Sequence, residues 1–181
     1  MNQNIINEIL LLLLKESLHG REISKKLNTP LTTIQRILLE LKKDNVVDYN
    51  ISGRNKVYFI KKSITPKRYI YNAENYNLVK IIKHYHHLEP IMEKILEKCK
   101  SQLIILFGSY AKLNAKEGSD IDIYIETTNN NLKKEIESID SRLSVKTGNF
   151  DIKSLLIKEI IKNHVIIKGV EGYYEKIKFF W

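Results

Sequence analysis

Between Phe107 and Glu126 the chain reads FGSYAKLNAKEGSDIDIYIE. DIDIYIE alternates strictly, so Asp120, Asp122, Tyr124 and Glu126 are expected on one face of a β-strand. Two carboxylates that point the same way beside a core are costly unless a cation sits between them. Magnesium is the hard, oxygen-seeking candidate, and it completes its shell with phosphates and water. Gly108 and Ser109 fit the same chemistry. Gly108 lets a backbone approach a phosphate, while the Ser109 hydroxyl and adjacent N–H groups hold phosphate oxygens at what reads as a helix N-terminus. Lys112 either neutralises phosphate charge or is simply solvated, and Ser119 shapes the turn. The bland alternative is an exposed edge strand that happens to carry two aspartates. Neither a P-loop nor a dinucleotide-binding glycine fingerprint occurs.

Elements of definite type must position these groups. The run from Gln102 to Phe107, QLIILF, is a short apolar strand pattern, and GSYAKL opens a turn or short helix. Upstream, ITPKRYIYNAENYNLVK reads as a linker, because Thr65-Pro66 disfavours helix. A long helix is expected from about Ala73 to Lys100, broken or kinked at Pro90. His84 and His87 would share one of its faces. With no third ligand near in sequence, this reads as a solvated or dimer-facing surface rather than a metal pair.

Residues 1–70 divide into three helical patterns and a ribbon. Ile5, Ile6, Ile9, Leu10 and Leu13 mark an amphipathic helix that ends near Leu18-His19-Gly20, and REISKKLN follows as a second. Thr29-Pro30 supplies an N-cap and an N1 proline to a third, in which Leu31, Ile34, Leu38 and Leu41 recur at helical spacing. The runs VVDYNI and KVYFIKK flank Ser52-Gly53-Arg54-Asn55, a hairpin with a basic tip.

Net charge separates the two parts of the chain. Residues 1–70 hold 13 Lys and Arg against 6 Asp and Glu, an excess of +7, and residues 71–181 hold 17 against 15, an excess of +2. The first part therefore suits a nucleic-acid partner, since phosphates reward such a surface by counterion release. Cys99 is the only cysteine, which excludes a disulfide framework and a cysteine-based zinc cluster and makes a cytoplasmic location the expectation. The apolar run Ile9–Leu14 is too short for a bilayer and lacks the flanks of a signal peptide, so no membrane role is expected.

The order helix, helix-turn-helix, hairpin over residues 5–62 resembles the winged-helix domains of prokaryotic transcription regulators. That resemblance implies that the third helix enters the major groove and the hairpin touches neighbouring backbone. Thr32, Thr33, Gln35, Arg36 and Lys43 on its outward face, with Arg54 at the tip, suit base edges and phosphates. A protein-binding winged helix with merely solvated cations is the alternative.

GSYAK…SDIDIYIE resembles the DNA polymerase β-like nucleotidyltransferase superfamily, and its minimal nucleotidyltransferase branch most closely, over residues 90–181. The resemblance implies a third carboxylate, matched by Asp151 in the β-type run GNFDIKSLL after the helix-like LKKEIESIDSRLS. It further implies two magnesium ions held by Asp120, Asp122 and Asp151, an NTP such as ATP bound through Gly108, Ser109 and Lys112, and NMP transfer to an acceptor. Many relatives have glycine where this chain has Leu113, which puts the shape of that turn in question. Minimal members are commonly antitoxins paired with a HEPN-type toxin, and this is the partner the resemblance implies. The expected organisation is an α/β (α+β) protein. Residues 1–70 form a winged helix-turn-helix, 71–100 a linker and helix, and 101–181 a nucleotidyltransferase domain with a small mixed sheet flanked by helices. The helix at 73–100 would seat a homodimer. A DNA-binding regulator that senses nucleotide without turnover is the second reading. Transfer to a small molecule or to the 3′ end of a tRNA is a third.

Overall fold

The computed structural model describes residues 3–100 and 103–180, so Gln102 at the head of the expected strand lies outside the described residues. The chain forms two compact units, one running to Tyr76 and taking in Phe179, the other Asn77–Lys178.

In the first unit, α1 (Gln3–Lys15) buries Ile6, Ile9, Leu10 and Leu13, as the spacing predicts. A strand of two residues, β1 (Leu18–His19), stands where the sequence suggests only a turn. Two residues are too few for periodicity to register, and β1 exists because it pairs with a later strand. The second helix is α2 (Gly20–Lys26), and the third is α3 (Leu31–Lys43), with Ile34, Ile37, Leu38 and Leu41 buried. Its cap departs from expectation. Pro30 rather than Thr29 precedes the helix, and the Thr29 hydroxyl donates back to the Leu27 carbonyl at 3.0 Å.

The hairpin is β2 (Val47–Ser52) with β3 (Asn55–Ile60), closed by Gly53 and Arg54. Gly53 has φ +60°, the conformation that a type II′ turn demands at its first central residue. The three strands form an antiparallel sheet in the order β1-β3-β2.

The expected linker is helix. α4 (Ile64–His84) covers it entirely. Pro66 falls in the first turn, where a missing N–H breaks no ladder, so Thr65-Pro66 starts the helix instead of preventing it. Nor is there one long helix to Lys100. α4 ends at His84 and α5 (Leu88–Lys98) begins after a turn in which the Leu88 N–H donates to the Tyr85 carbonyl at 2.9 Å. The break precedes Pro90, which again occupies a first turn. His84 closes one helix and His87 precedes the next, so they share no helical face.

The second unit is built on β4 (Ile104–Leu106), β5 (Ile121–Glu126), β6 (Leu143–Gly148) and β7 (Val165–Lys168), ordered β6-β5-β4-β7. β4 is antiparallel to β5 and β7, while β5 and β6 are parallel. This is the mixed sheet of an α+β protein. Its strands are interleaved with α6 (Gly108–Ala111), α7 (Asn130–Glu137), α8 (Leu155–Lys162) and α9 (Val170–Lys176). Ile121, Ile123 and Ile125 turn to one face, where with Leu106, Val145 and Val165 they pack against Ile91, Met92 and Ile95 of α5. Cys99 is buried there. By strand alternation the opposite face of β5 presents Asp122, Tyr124 and Glu126. Among the described residues no helix is long and apolar enough to cross a membrane.

Candidate functional site

The short helix α6 and the start of β5 make the site together. The chain leaves β4 at Leu106, and the Phe107 N–H donates to the Asp122 carbonyl at 2.9 Å, which ties the glycine turn to the strand bearing the carboxylate. Gly108 then has φ +69°, and a Cβ there would lie 2.1 Å from Oδ2 of Asp122. Both the left-handed backbone and the close approach admit only glycine. The backbone at Gly108–Ser109 thus stands directly against a carboxylate, the arrangement that a phosphate-bridging cation needs.

α6 ends in a Schellman turn. The Asn114 N–H donates to the Ser109 carbonyl at 3.1 Å and the Leu113 N–H to the Tyr110 carbonyl at 3.1 Å. Leu113 carries φ +56°, so leucine adopts the left-handed conformation that glycine takes most cheaply. The turn keeps its shape at the cost of local strain. Ser119 closes the next turn, its hydroxyl accepting the Lys116 N–H at 2.8 Å.

Asp120 is exposed and precedes β5 by one residue, while Asp122 is half-buried on the strand. Burial first, and then repulsion from Asp120 and Glu159, push the Asp122 carboxyl above the usual carboxylate range. A hydrogen bond from the Ser144 hydroxyl and the nearby charge of Lys146 act against this. A half-buried carboxylate with two like charges beside it is a place for a cation. Asp120 and Asp122 are the residues that would hold a divalent cation here, a hard ion suited to carboxylate oxygens.

Asp151 is not on a strand. The parallel partner of β5 is Leu143–Gly148, earlier than expected, and residues 149–154 form turns before α8. Asp151 is exposed there, its Oδ1 accepting the Lys153 N–H at 2.9 Å. The residue of β6 in register with Asp122 is Ser144, so strand pairing sets a hydroxyl beside Asp122, while Asp151, the acid that the resemblance implies, lies past the end of the strand. Among the described residues, no three His, Cys, Asp or Glu side chains are grouped to hold a metal ion. The three-carboxylate cage that the resemblance implies is therefore not assembled among the described residues.

Two participants had no sequence signal. Ser144 lies in what reads as the tail of a helix, and strand register alone brings it to Asp122. Glu159 lies on α8, its Oε1 3.7 Å from Nζ of Lys112. The histidines take structural roles: Nε2 of His87 lies 3.2 Å from the Tyr110 hydroxyl, and the ring of His84 meets Tyr85 edge-on at 4.5 Å.

The first unit carries a separate feature, a groove of about 470 Å³ between α3 and the hairpin. Gln35, Leu39 and Lys42 of α3 line it with Tyr49, Arg54, Lys56 and Tyr58 of the hairpin, and Arg21 of α2 joins them. Of the residues expected to face nucleic acid, Gln35 and Arg54 line this groove. Thr32, Thr33, Arg36 and Lys43 do not, although Thr32, Arg36 and Lys43 are exposed and Thr33 is half-exposed. Arg36 is engaged by Glu40 on its own helix at 3.1 Å. Lys42 pairs with Asp48 at 3.0 Å and lies over the Tyr49 ring at 4.0 Å, with Lys56 at 4.4 Å from the same ring.

Residues 89–173 match the family described as Polymerase beta, Nucleotidyltransferase. The span holds α6, the Asp120 and Asp122 pair, Ser144, Asp151 and Glu159, and it supports the nucleotidyltransferase superfamily for this part of the chain, a superfamily that also includes catalytically silent members. No curated protein and no solved structure matches the chain.

Proposed function

We propose that the second unit binds an NTP, with ATP the candidate, together with magnesium, and transfers NMP to a protein or RNA acceptor. The observation that carries this is the contact of the Gly108 turn with Asp122 inside a matched nucleotidyltransferase span. Asp120 and Asp122 hold the ion, and the N–H groups and hydroxyl at Gly108–Ser109 take phosphate oxygens. When bound, the ion neutralises phosphate charge and polarises the α-phosphate. The half-burial of Asp122 strengthens its own contact with the ion by lowering the local dielectric.

The first unit, on this reading, is a winged helix that binds DNA. Its element order, its three-stranded sheet and its basic groove support that assignment. The combination fits an antitoxin that represses its own operon and modifies a HEPN-type toxin partner, with a homodimer spanning two half-sites.

One observation favours a second reading. Ser144, which is not an acid, is in register with Asp122, and Asp151 lies beyond the strand. A site with two carboxylates is enough to hold a magnesium nucleotide without a base for the acceptor. The chain would then be a DNA-binding regulator that senses nucleotide. Incubation with α-labelled ATP and magnesium, with and without the toxin candidate and bulk tRNA, separates the two readings. Label transferred by wild type but not by Asp120→Ala/Asp122→Ala establishes transfer, and comparison with Asp151→Asn tests the role of Asp151. Nucleotide binding with no label in any acceptor establishes the sensor.

A further inference from the structure

Glu159 is an acid at a place built for phosphates, and neither reading above gives it a task. Its position is not accidental to the motif. Lys112 is held one turn beyond Gly108, its N–H donating to the Gly108 carbonyl at 3.3 Å, so its side chain starts from a fixed point beside the phosphate seat. The far end of that side chain meets Glu159, 3.7 Å away, and both groups are substantially exposed. α8 itself is anchored, with Ser154 accepting the Ile157 N–H at 3.2 Å and Ile157 and Ile160 buried.

The charges acting on Asp122 are then Asp120 and Glu159 against Lys146, and Lys112, one turn beyond the Gly-Ser turn, is already engaged by Glu159. A bare polyphosphate entering here meets three carboxylates against Lys146 and a Lys112 that is already paired. One that arrives with a divalent cation brings its own compensation to Asp120 and Asp122. The ion pair is exposed and therefore weak, so a phosphate that has reached the seat can take Lys112 from Glu159.

We propose that Glu159 is a specificity-determining residue: by engaging Lys112 and adding a third negative charge beside the aspartate pair, it excludes metal-free nucleotide and restricts the site to nucleotide carrying a divalent cation. This rests on the nucleotide-binding reading of the second unit. It requires no contact between Glu159 and the metal, in keeping with the absence of a three-carboxylate group among the described residues.

The test is equilibrium binding of ATP to the full chain by calorimetry, once in EDTA and once in excess magnesium. Glu159→Gln is expected to tighten metal-free ATP roughly tenfold and magnesium-ATP less than about threefold. In a Lys112→Ala background the Glu159→Gln gain is expected to shrink to less than half, because the released lysine supplies most of it. Both positions are exposed, and thermal unfolding of each variant checks that the fold is intact. Unchanged or weaker metal-free binding in Glu159→Gln overturns the role, and weaker magnesium-ATP binding would make Glu159 a ligand instead. If folded wild type binds ATP under neither condition, the nucleotide site itself is refuted, and the selectivity role goes with it.

Discussion

Asp122 and Glu126 stand on the same face of β5, four residues apart, in opposite surroundings. Glu126 is answered from within the unit: Nζ of Lys176 lies 2.9 Å from its Oε1, and the Phe150 N–H donates to the same oxygen at 3.4 Å. Between the two acids, Tyr124 is buried, its hydroxyl donating to the Gly148 carbonyl at 2.9 Å and its ring meeting Phe150 edge-on at 6.0 Å. That end of the face is finished as structure. At the other end, Asp122 keeps the Ser144 hydroxyl and the charge of Lys146 as partial compensation, with two acids against it. A strand that neutralises one carboxylate and leaves another short of positive charge matches what the proposed nucleotide site needs. The difference separates a satisfied acid from an unbalanced one more sharply than the shared alternation does.

The widest break in this contrast comes from the functional end. Asp120→Ala/Asp122→Ala is expected to weaken magnesium-ATP binding by more than about 100-fold without unfolding the protein, as read by calorimetry beside circular dichroism. Unaltered affinity would place the nucleotide elsewhere. Next in size is Gly108→Ala, where a methyl group 2.1 Å from the Asp122 oxygen combines with a left-handed backbone. A loss of about 2–4 kcal/mol in chemical denaturation is expected, together with loss of nucleotide binding.

The two ends should also respond with opposite signs. Glu126→Gln removes a partly buried ion pair and should cost about 1 kcal/mol while leaving nucleotide affinity intact. Asp122→Asn should instead raise the stability of the metal-free protein. The sign follows from linkage: the folded state holds the Asp122 proton more tightly than the unfolded chain, whose value is 3.8. Stability from this group is full below that pH and is lost as pH rises through the raised folded value. Urea titrations of wild type and Asp122→Asn across this window should diverge as pH rises, and parallel curves would refute the unbalanced charge.

The smaller effects lie away from the aspartate pair. Leu113→Gly relieves a left-handed leucine and is expected to add up to about 1 kcal/mol; a loss would mean that the half-exposed side chain packs more than its backbone strains. Asp140 is a carboxylate satisfied twice over by Arg142, with contacts of 2.9 and 3.0 Å, and is held down at about 2. Its contribution is present above pH 3.8 and lost as pH falls toward 2, a change of about 1 kcal/mol for a partly buried surface pair. Asp140→Asn should flatten that acid limb.

Much of this was legible residue by residue. The amphipathic spacing of α1 and α3, the Gly53-Arg54 hairpin, and the glycine, serine and aspartate pattern of α6 and β5 are local signals, and the structure carries them as elements of the expected type. What misread was also local. Thr65-Pro66 reads as a barrier to helix, yet proline is harmless in a first turn, and Pro90 repeats the pattern. The helix-like reading of LKKEIESIDSRLS ran through Leu143 and Ser144, which belong to β6, because a buried strand of six residues is outvoted by the charged helix before it.

The sequence by itself determined which chemistry this protein can hold: paired acids two apart, a glycine-serine turn at the fixed distance before them, and a basic first part. Those properties depend on residue type and on spacing along one strand or one turn, which the backbone converts directly into position. Only the tertiary structure decided which acids act together. Strand pairing set Ser144 rather than Asp151 beside Asp122, and the packing of α8 brought Glu159 to Lys112. Contacts between segments distant in sequence are set by register and by burial of the opposite face, and neither leaves a local pattern to read.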